Sequence, residues 1–126
     1  MSTMISNLPM KYHDPGNPIV TIEINRVILS STHVDLGLEI NAMTYETMTS
    51  LQLLGLKPTL IILEMADKSV VKPMGTLEDI MVTIASWQYS IDFIIISRKT
   101  SRLEHPVVLG RSWLETVDAV IGCKNI

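Results

Sequence analysis

Val34-Asp35-Leu36-Gly37 stands where two kinds of sequence meet, and its reading decides the fold. Ahead of it, Pro18-Ile19-Val20-Thr21-Ile22-Glu23-Ile24 alternates apolar and polar residues with a period of two. That is the pattern of a strand with one buried face. Asn25-Arg26 reads as a tight turn, and Val27 to Val34 as a second, weaker strand. Asp35-Leu36-Gly37 then breaks the pattern, because Gly permits a sharp turn. Taken alone, an Asp just ahead of a Gly most often hydrogen-bonds its own backbone in a turn. The residues downstream decide whether it also does chemistry.

Thr44 to Leu54 is the best helix candidate, with Thr44 as cap and Thr47 where a capping box would place Glu or Gln. Met48, Leu51 and Leu54 fall on one face, and Gly55 ends the helix. After Pro58 strands resume: Thr59 to Met65, a turn at Ala66-Asp67-Lys68-Ser69, then Val70 to Met74, with Gly75 at a bend or bulge. Leu77 to Ile84 and Tyr89 to Ser97 form the next pair, joined through Ala85-Ser86-Trp87-Gln88. A polar loop runs from Ser97 to Glu104, and His105 to Gly110 is a short buried strand. Arg111 to Val117 reads as a second short helix and Ala119 to Ile126 as a last strand. Met1 to Asn17, with Pro9, Pro15 and Gly16, reads as an arm or linker ahead of the domain. Many short strands with two short helices predict a mainly-β barrel or sandwich.

Bulk properties narrow the function. The chain has 126 residues, which fits one domain. Its hydrophobic fraction of 47% is high for that size: either the core is large for its length or apolar surface faces a partner, and on this ground an oligomer is favoured over a monomer. The net charge is −3 with both signs mixed, and no basic patch points to nucleic acid. No apolar run reaches the ~18 residues of a membrane span, and Met1 to Met10 lacks the features of a signal peptide. Cys123 is the sole cysteine, so no disulfide framework or thiolate metal cage is expected, and a reducing, cytoplasmic setting is the simpler reading. His13, His33 and His105 are far apart in sequence with no ligand spacing, and each reads as structural or solvent-facing; neither metal nor cofactor is expected. Trp113 reads as an anchor between helix and barrel, and Trp87 as half exposed. Glu78-Asp79 is rejected as a carboxylate dyad, because strand neighbours point to opposite faces. Ser30-Ser31 with His33 lacks the elbow of a serine nucleophile.

Several pieces together resemble one family. Pro18 to Ile22, a second strand and Val34-Asp35-Leu36-Gly37 resemble the opening of retroviral aspartic proteases. Ile40-Asn41-Ala42-Met43, Leu54-Gly55-Leu56, Lys57-Pro58-Thr59, Ala66-Asp67-Lys68-Ser69 before Pro73 and Gly75, and Glu78-Asp79-Ile80 resemble the protease domain of plant retrotransposon polyproteins. Leu109-Gly110-Arg111 is similar to the apolar-Gly-Arg signature that closes such domains before their helix. The resemblance covers residues 18–126 and implies a retropepsin-like closed barrel with one or two short helices, one lobe per chain.

It also implies a chemistry. One lobe supplies one catalytic Asp, here Asp35 in the loop Leu36-Gly37. Metal-free peptide hydrolysis needs a water between two carboxylates that share a proton. A homodimer, with a two-fold axis bringing Asp35 to its counterpart, is therefore expected. The substrate would be an extended peptide or polyprotein, and the setting the cytoplasm or a retroelement particle. Ala66, Asp67, Lys68 and Ser69 would tip a flap over that peptide. Leu38 stands where the family has a small Ala near the substrate backbone, so it is expected to narrow the cleft or force a shift. Glu39 stands where retroviral members have an acid that pairs with the Arg of the Gly-Arg motif, which implies a Glu39–Arg111 ion pair tying loop to helix. Ile121 to Ile126 would interleave with a partner's termini in a shared sheet. The alternative is a catalytically inactive dimerisation or peptide-binding module of the same fold.

Overall fold

A computed structural model of the chain describes residues 10–14, 17–64, 68–97 and 105–124. Nine strands and two helices are found among them, in the order β1 (Met10–Asp14), β2 (Asn17–Ile24), β3 (Val27–Val34), β4 (Ala42–Thr44), α1 (Tyr45–Ser50), β5 (Leu63–Glu64), β6 (Val70–Val71), β7 (Gly75–Ile84), β8 (Trp87–Ile96), β9 (Val107–Leu109) and α2 (Arg111–Lys124). The large sheet runs β1-β2-β3-β9-β4-β8-β7, and β2 also pairs with β7 through Glu23↔Thr83 and Ile24↔Val82. That pairing closes β2, β3, β9, β4, β8 and β7 into a barrel, with β1 outside on β2. β5 and β6 form a separate small hairpin.

The alternation that announced β2 does what it implies. Ile22 and Ile24 point into the barrel with 1% exposure each, while Thr21 and Glu23 face out. β7 and β8 pair antiparallel from Gly75↔Ile95 to Ile84↔Trp87 and contribute Leu77, Val82, Tyr89 and Phe93 to the same core. Two tight hairpin turns use positive φ at both central residues, Asn25 and Arg26 in one and Ala85 and Ser86 in the other. This backbone matches the twist of the flanking strands. The second turn is thus two residues long, and Trp87 and Gln88 belong to β8. Trp87 is half exposed, and Trp113 is fully buried in the core, as expected.

Several expectations are corrected. Met10–Asp14 of the expected arm is strand β1, antiparallel to β2 with Met10 opposite Val20. The first helix ends at Ser50 instead of Leu54: Gln52 turns left-handed at φ 58°, and the Asn25 side chain donates to the Leu51 carbonyl at 2.7 Å. Leu54 consequently lies off the buried face and is 89% exposed. Thr44 does cap the helix, its Oγ1 accepting the Thr47 N–H at 3.3 Å. Of the expected strand Thr59 to Met65, the described residues 59–64 yield only the two-residue β5, because the chain leaves the barrel after Lys57, and Met65 lies outside the described residues. The largest correction is at the C-terminus, where Ala119 to Lys124 continues helix α2 and forms no strand. The spacing Trp113, Val117, Val120, Ile121 keeps helical period with no Pro before it, and Asp118 alone does not stop a helix. Ile121 to Lys124 is therefore helical and supplies no strand for a shared terminal sheet, while Asn125 and Ile126 lie outside the described residues.

Candidate active site

β3 carries the chain into the loop, and parallel pairing with β9 fixes where it arrives. His33 lies opposite Val108 and Val34 opposite Leu109, and the Asp35 N–H extends the ladder to the Leu109 carbonyl at 2.9 Å. A tight turn follows. The Leu38 N–H donates to the Asp35 carbonyl at 3.1 Å, and the Gly37 N–H to Asp35 Oδ1 at 2.9 Å. The turn-aspartate role foreseen from sequence is thus present, and it orients the carboxylate. Asp35 is half-buried, while Leu36 at the turn's apex is 50% exposed. A β-carbon on Gly37 would sit 3.2 Å from Asp35 Oδ1, close enough to press on the group the turn holds.

The loop is clamped from below by α2. The first four N–H groups of a helix have no partner within it. Here the Arg111 N–H donates to the Leu38 carbonyl at 2.9 Å and the Ser112 N–H to the Glu39 carbonyl at 3.1 Å. So close an approach leaves no room at Gly110, where a β-carbon would stand 2.3 Å from the Ile40 oxygen and 2.5 Å from the Leu38 oxygen. Gly110 and Arg111 thus support the loop through backbone. The expected Glu39–Arg111 ion pair is not formed: both side chains are exposed, and among the described residues the ion pair is Lys57–Glu78 at 2.6 Å. Carbonyls facing a helix N-terminus already supply the tie the charges were expected to give.

Sequence reasoning assigned no role to Asn41, which the structure places at the junction of loop, helix and barrel. It is 3% exposed. Its Oδ1 accepts the buried Gly110 N–H at 2.9 Å, its Nδ2 donates to the Asp92 carbonyl at 3.1 Å, and its own carbonyl accepts the Ile94 N–H at 2.9 Å. The available signal was an amide residue enclosed by Ile40, Ala42 and Met43, since buried polar groups need partners.

Leu38 turns away from solvent. At 9% exposure it belongs to a second apolar cluster with Ala42, Ile94 and Val108. The small hairpin contributes Leu63 and Val71 to that cluster. Leu38 is therefore a buried link between the Asp35 loop and the hairpin. Lys68 and Ser69 on the hairpin are exposed, Lys68 with φ 67°; Ala66 and Asp67 lie outside the described residues.

His33 and His105 are not remote from each other: their rings stack in parallel with centroids 4.3 Å apart. The β3–β9 pairing causes this, because His33 lies opposite Val108, three residues beyond His105. Among the described residues no three His, Cys, Asp or Glu converge as a metal site requires. Asp35 by itself offers one carboxylate, with one oxygen engaged by its own turn. Hydrolysis by general acid and base needs a second group facing it.

No family model matches the sequence, and no curated protein matches it. Solved structures do. The chain is similar to the retroviral protease-like domain of Ddi1 from Leishmania major, with 19% identity over 76% of this chain and 68% of that one and a TM-score of 0.57. It is also similar to a retropepsin-like aspartic protease from Rickettsia conorii, with 21% identity over 84% of this chain and 76% of that one and a TM-score of 0.59. The fold of this chain is therefore retropepsin-like: a mainly-β closed barrel with helices at its side, carrying Asp35 on the loop between β3 and β4.

Proposed function

We propose that the chain is an aspartic endopeptidase that works as a homodimer, Asp35 of each copy supplying one carboxylate. The observation that carries this reading is the clamp around Asp35. A turn bond to Oδ1, a ladder bond from its N–H and the α2 N-terminus under Leu38 and Glu39 hold one carboxylate on a rigid, half-exposed loop. Preorganisation of that kind is what positioned acid–base catalysis requires. Two such loops across a two-fold axis would share one proton; one carboxylate would then take the proton of a water, and the other would hydrogen-bond the scissile carbonyl. Because α2 occupies the expected terminal strand, the dimer would rest on other surface. Exposed Leu36, Leu60, Ile62 and Val70 supply apolar area for it.

The substrate would be an extended peptide segment, held between the Asp35 loop and the β5–β6 hairpin acting as a flap. Polyprotein maturation in a retroelement, in the cytoplasm or a particle, is the natural task that the motif resemblance to plant retrotransposon proteases suggests. A second reading, an inactive peptide-binding or dimerisation module, is favoured by one observation: Leu38 fills space beneath the hairpin where a small residue would leave a pocket. Incubation with a peptide library at mildly acid pH separates the two. The protease reading expects cleavage that pepstatin inhibits and Asp35→Asn abolishes; full-length dimer without cleavage establishes the module.

A further inference from the structure

Away from the Asp35 turn, a pocket opens where the chain parts from β7. Lys57 pairs with Thr76 by two backbone bonds, of 2.9 and 2.8 Å. Gly75 permits that approach, since a β-carbon there would meet the Lys57 oxygen at 2.4 Å. The next residue is Pro58, which has no N–H to continue a ladder. The chain diverges from β7, and a pocket of about 450 Å³ opens between the two. Ile40, Pro58, Ile61 and Ile94 form its apolar walls. Ile40 and Ile94 also touch the cluster beneath the hairpin, so pocket and candidate substrate cleft share a wall.

The charges at this pocket do not balance. Glu78 and Asp92 line it with a single cation, Lys57. Asp79 stands beside the pocket without lining it, its Oδ1 accepting from Ser90 Oγ at 3.2 Å; a bulge between Leu77 and Ile80 breaks the strand alternation and exposes it. Asp79 takes φ 57° there, its N–H donates to Asp92 Oδ1 at 2.8 Å, and it is exposed beside Glu78 instead of facing the core. Lys57 feels this surplus: its pKa is raised, first by the hydrogen bond from its ammonium to Glu78 and then by the charges of Glu78, Asp79 and Asp92. Apolar walls with carboxylates at the rim suit a side chain that has a hydrocarbon stem and a cationic head.

We propose that this pocket is a subsite for a Lys or Arg side chain of an extended peptide. The stem lies against Pro58, Ile61 and Ile94, and the head reaches Glu78 and Asp92. Lys57 competes for the same carboxylates, so it weakens the site. The proposal rests on the peptide-substrate reading above, and its test is kept separate from cleavage.

The full-length Asp35→Asn protein is titrated with a fluorescein-labelled extended peptide of Val and Thr residues carrying one Arg, and with the same peptide carrying Gln or Glu instead. Arg is expected to bind tightest. Glu78→Gln with Asp92→Asn, which retains an acceptor for the Asp79 N–H, lowers Arg-peptide affinity about threefold to tenfold and leaves the Gln peptide unchanged. Lys57→Gln moves the Arg peptide the other way, toward tighter binding, which a merely structural role would not produce. Equal affinity for the three peptides, no binding of any, or an Arg preference indifferent to these variants overturns the proposal. Cleavage by the unmodified protein without a cationic preference sinks the subsite alone. An Arg preference without cleavage sinks the protease reading alone.

Discussion

Replacing Asn41 by Ala removes a side chain that joins the Asp35 loop, the start of α2 and strand β8. Two bonds disappear, from the Gly110 N–H at 2.9 Å and to the Asp92 carbonyl at 3.1 Å. Each such bond is worth about 0.5–1.5 kcal/mol net, and a buried donor left unpaired adds about 1–3 kcal/mol. Gly110 is buried against the Leu38 and Ile40 carbonyls, so its N–H has little access to water. The expected loss is about 2–4 kcal/mol, a large share of the about 5–15 kcal/mol that holds a domain together. Urea unfolding followed by the fluorescence of fully buried Trp113 reads this directly. With a slope of about 1–3 kcal/mol per molar urea, the midpoint should fall by about 1–2 M at unchanged slope. A fall below about 0.3 M would show that the junction does not depend on Asn41, and the clamp beneath Asp35 would lose its central tie.

Gly110→Ala should cost about 2–3 kcal/mol or more, because the new methyl meets two backbone oxygens that flexible side chains cannot relieve; a melting temperature indistinguishable from the parent's would contradict the close approach. Glu39→Ala and Arg111→Ala, made separately, should each change stability by less than about 0.5 kcal/mol, as surface changes without a partner do; a coupled loss in the double-mutant cycle would restore the ion pair. Tyr89 is buried, its hydroxyl finds no partner among the described residues, and burial raises its pKa above 10.0. Tyr89→Phe should therefore be stabilising by about 1 kcal/mol. The Tyr89 contribution is complete below its unfolded pKa and is lost as pH climbs through the higher folded value. Melting curves at neutral and alkaline pH should show a steeper alkaline decline in the parent than in the Phe variant, and equal declines would assign that loss elsewhere.

The parts of the fold that were legible in the sequence rest on local signals. Period-two alternation marked β2, Asn25-Arg26 marked its turn, and Thr44 marked the start of α1. The parts that were not legible depend on remote partners. β4 is three residues buried among β8 and β9, too short to show any period. The end of α1 is set by Asn25, 26 residues away, and by Gln52 adopting a conformation its side chain does not advertise. Ala119 to Lys124 is too short an apolar run to show its period by itself, and only the spacing from Trp113 and Val117 marks it as helix. At the site, Asp35-Leu36-Gly37 forms the turn and Gly110-Arg111 the helix start that the sequence suggests, but the tie between them lies in backbone and not in the charges of Glu39 and Arg111. The stacked His33 and His105 became neighbours only through the parallel pairing of β3 with β9, which no spacing in sequence foretells. The bulge at Asp79 likewise overrode the alternation that should have hidden one of two adjacent carboxylates.

The central claim is that Asp35 acts as one half of a carboxylate pair contributed by two copies of the chain. Subunit mixing tests it most directly. Unmodified chain and Asp35→Asn chain are equilibrated at fixed total concentration, and the initial rate of peptide cleavage at mildly acid pH is followed as their ratio varies. If each active centre needs both aspartates, the rate falls as the square of the unmodified fraction. A rate linear in that fraction, or cleavage that survives when every chain carries Asp35→Asn, would contradict it.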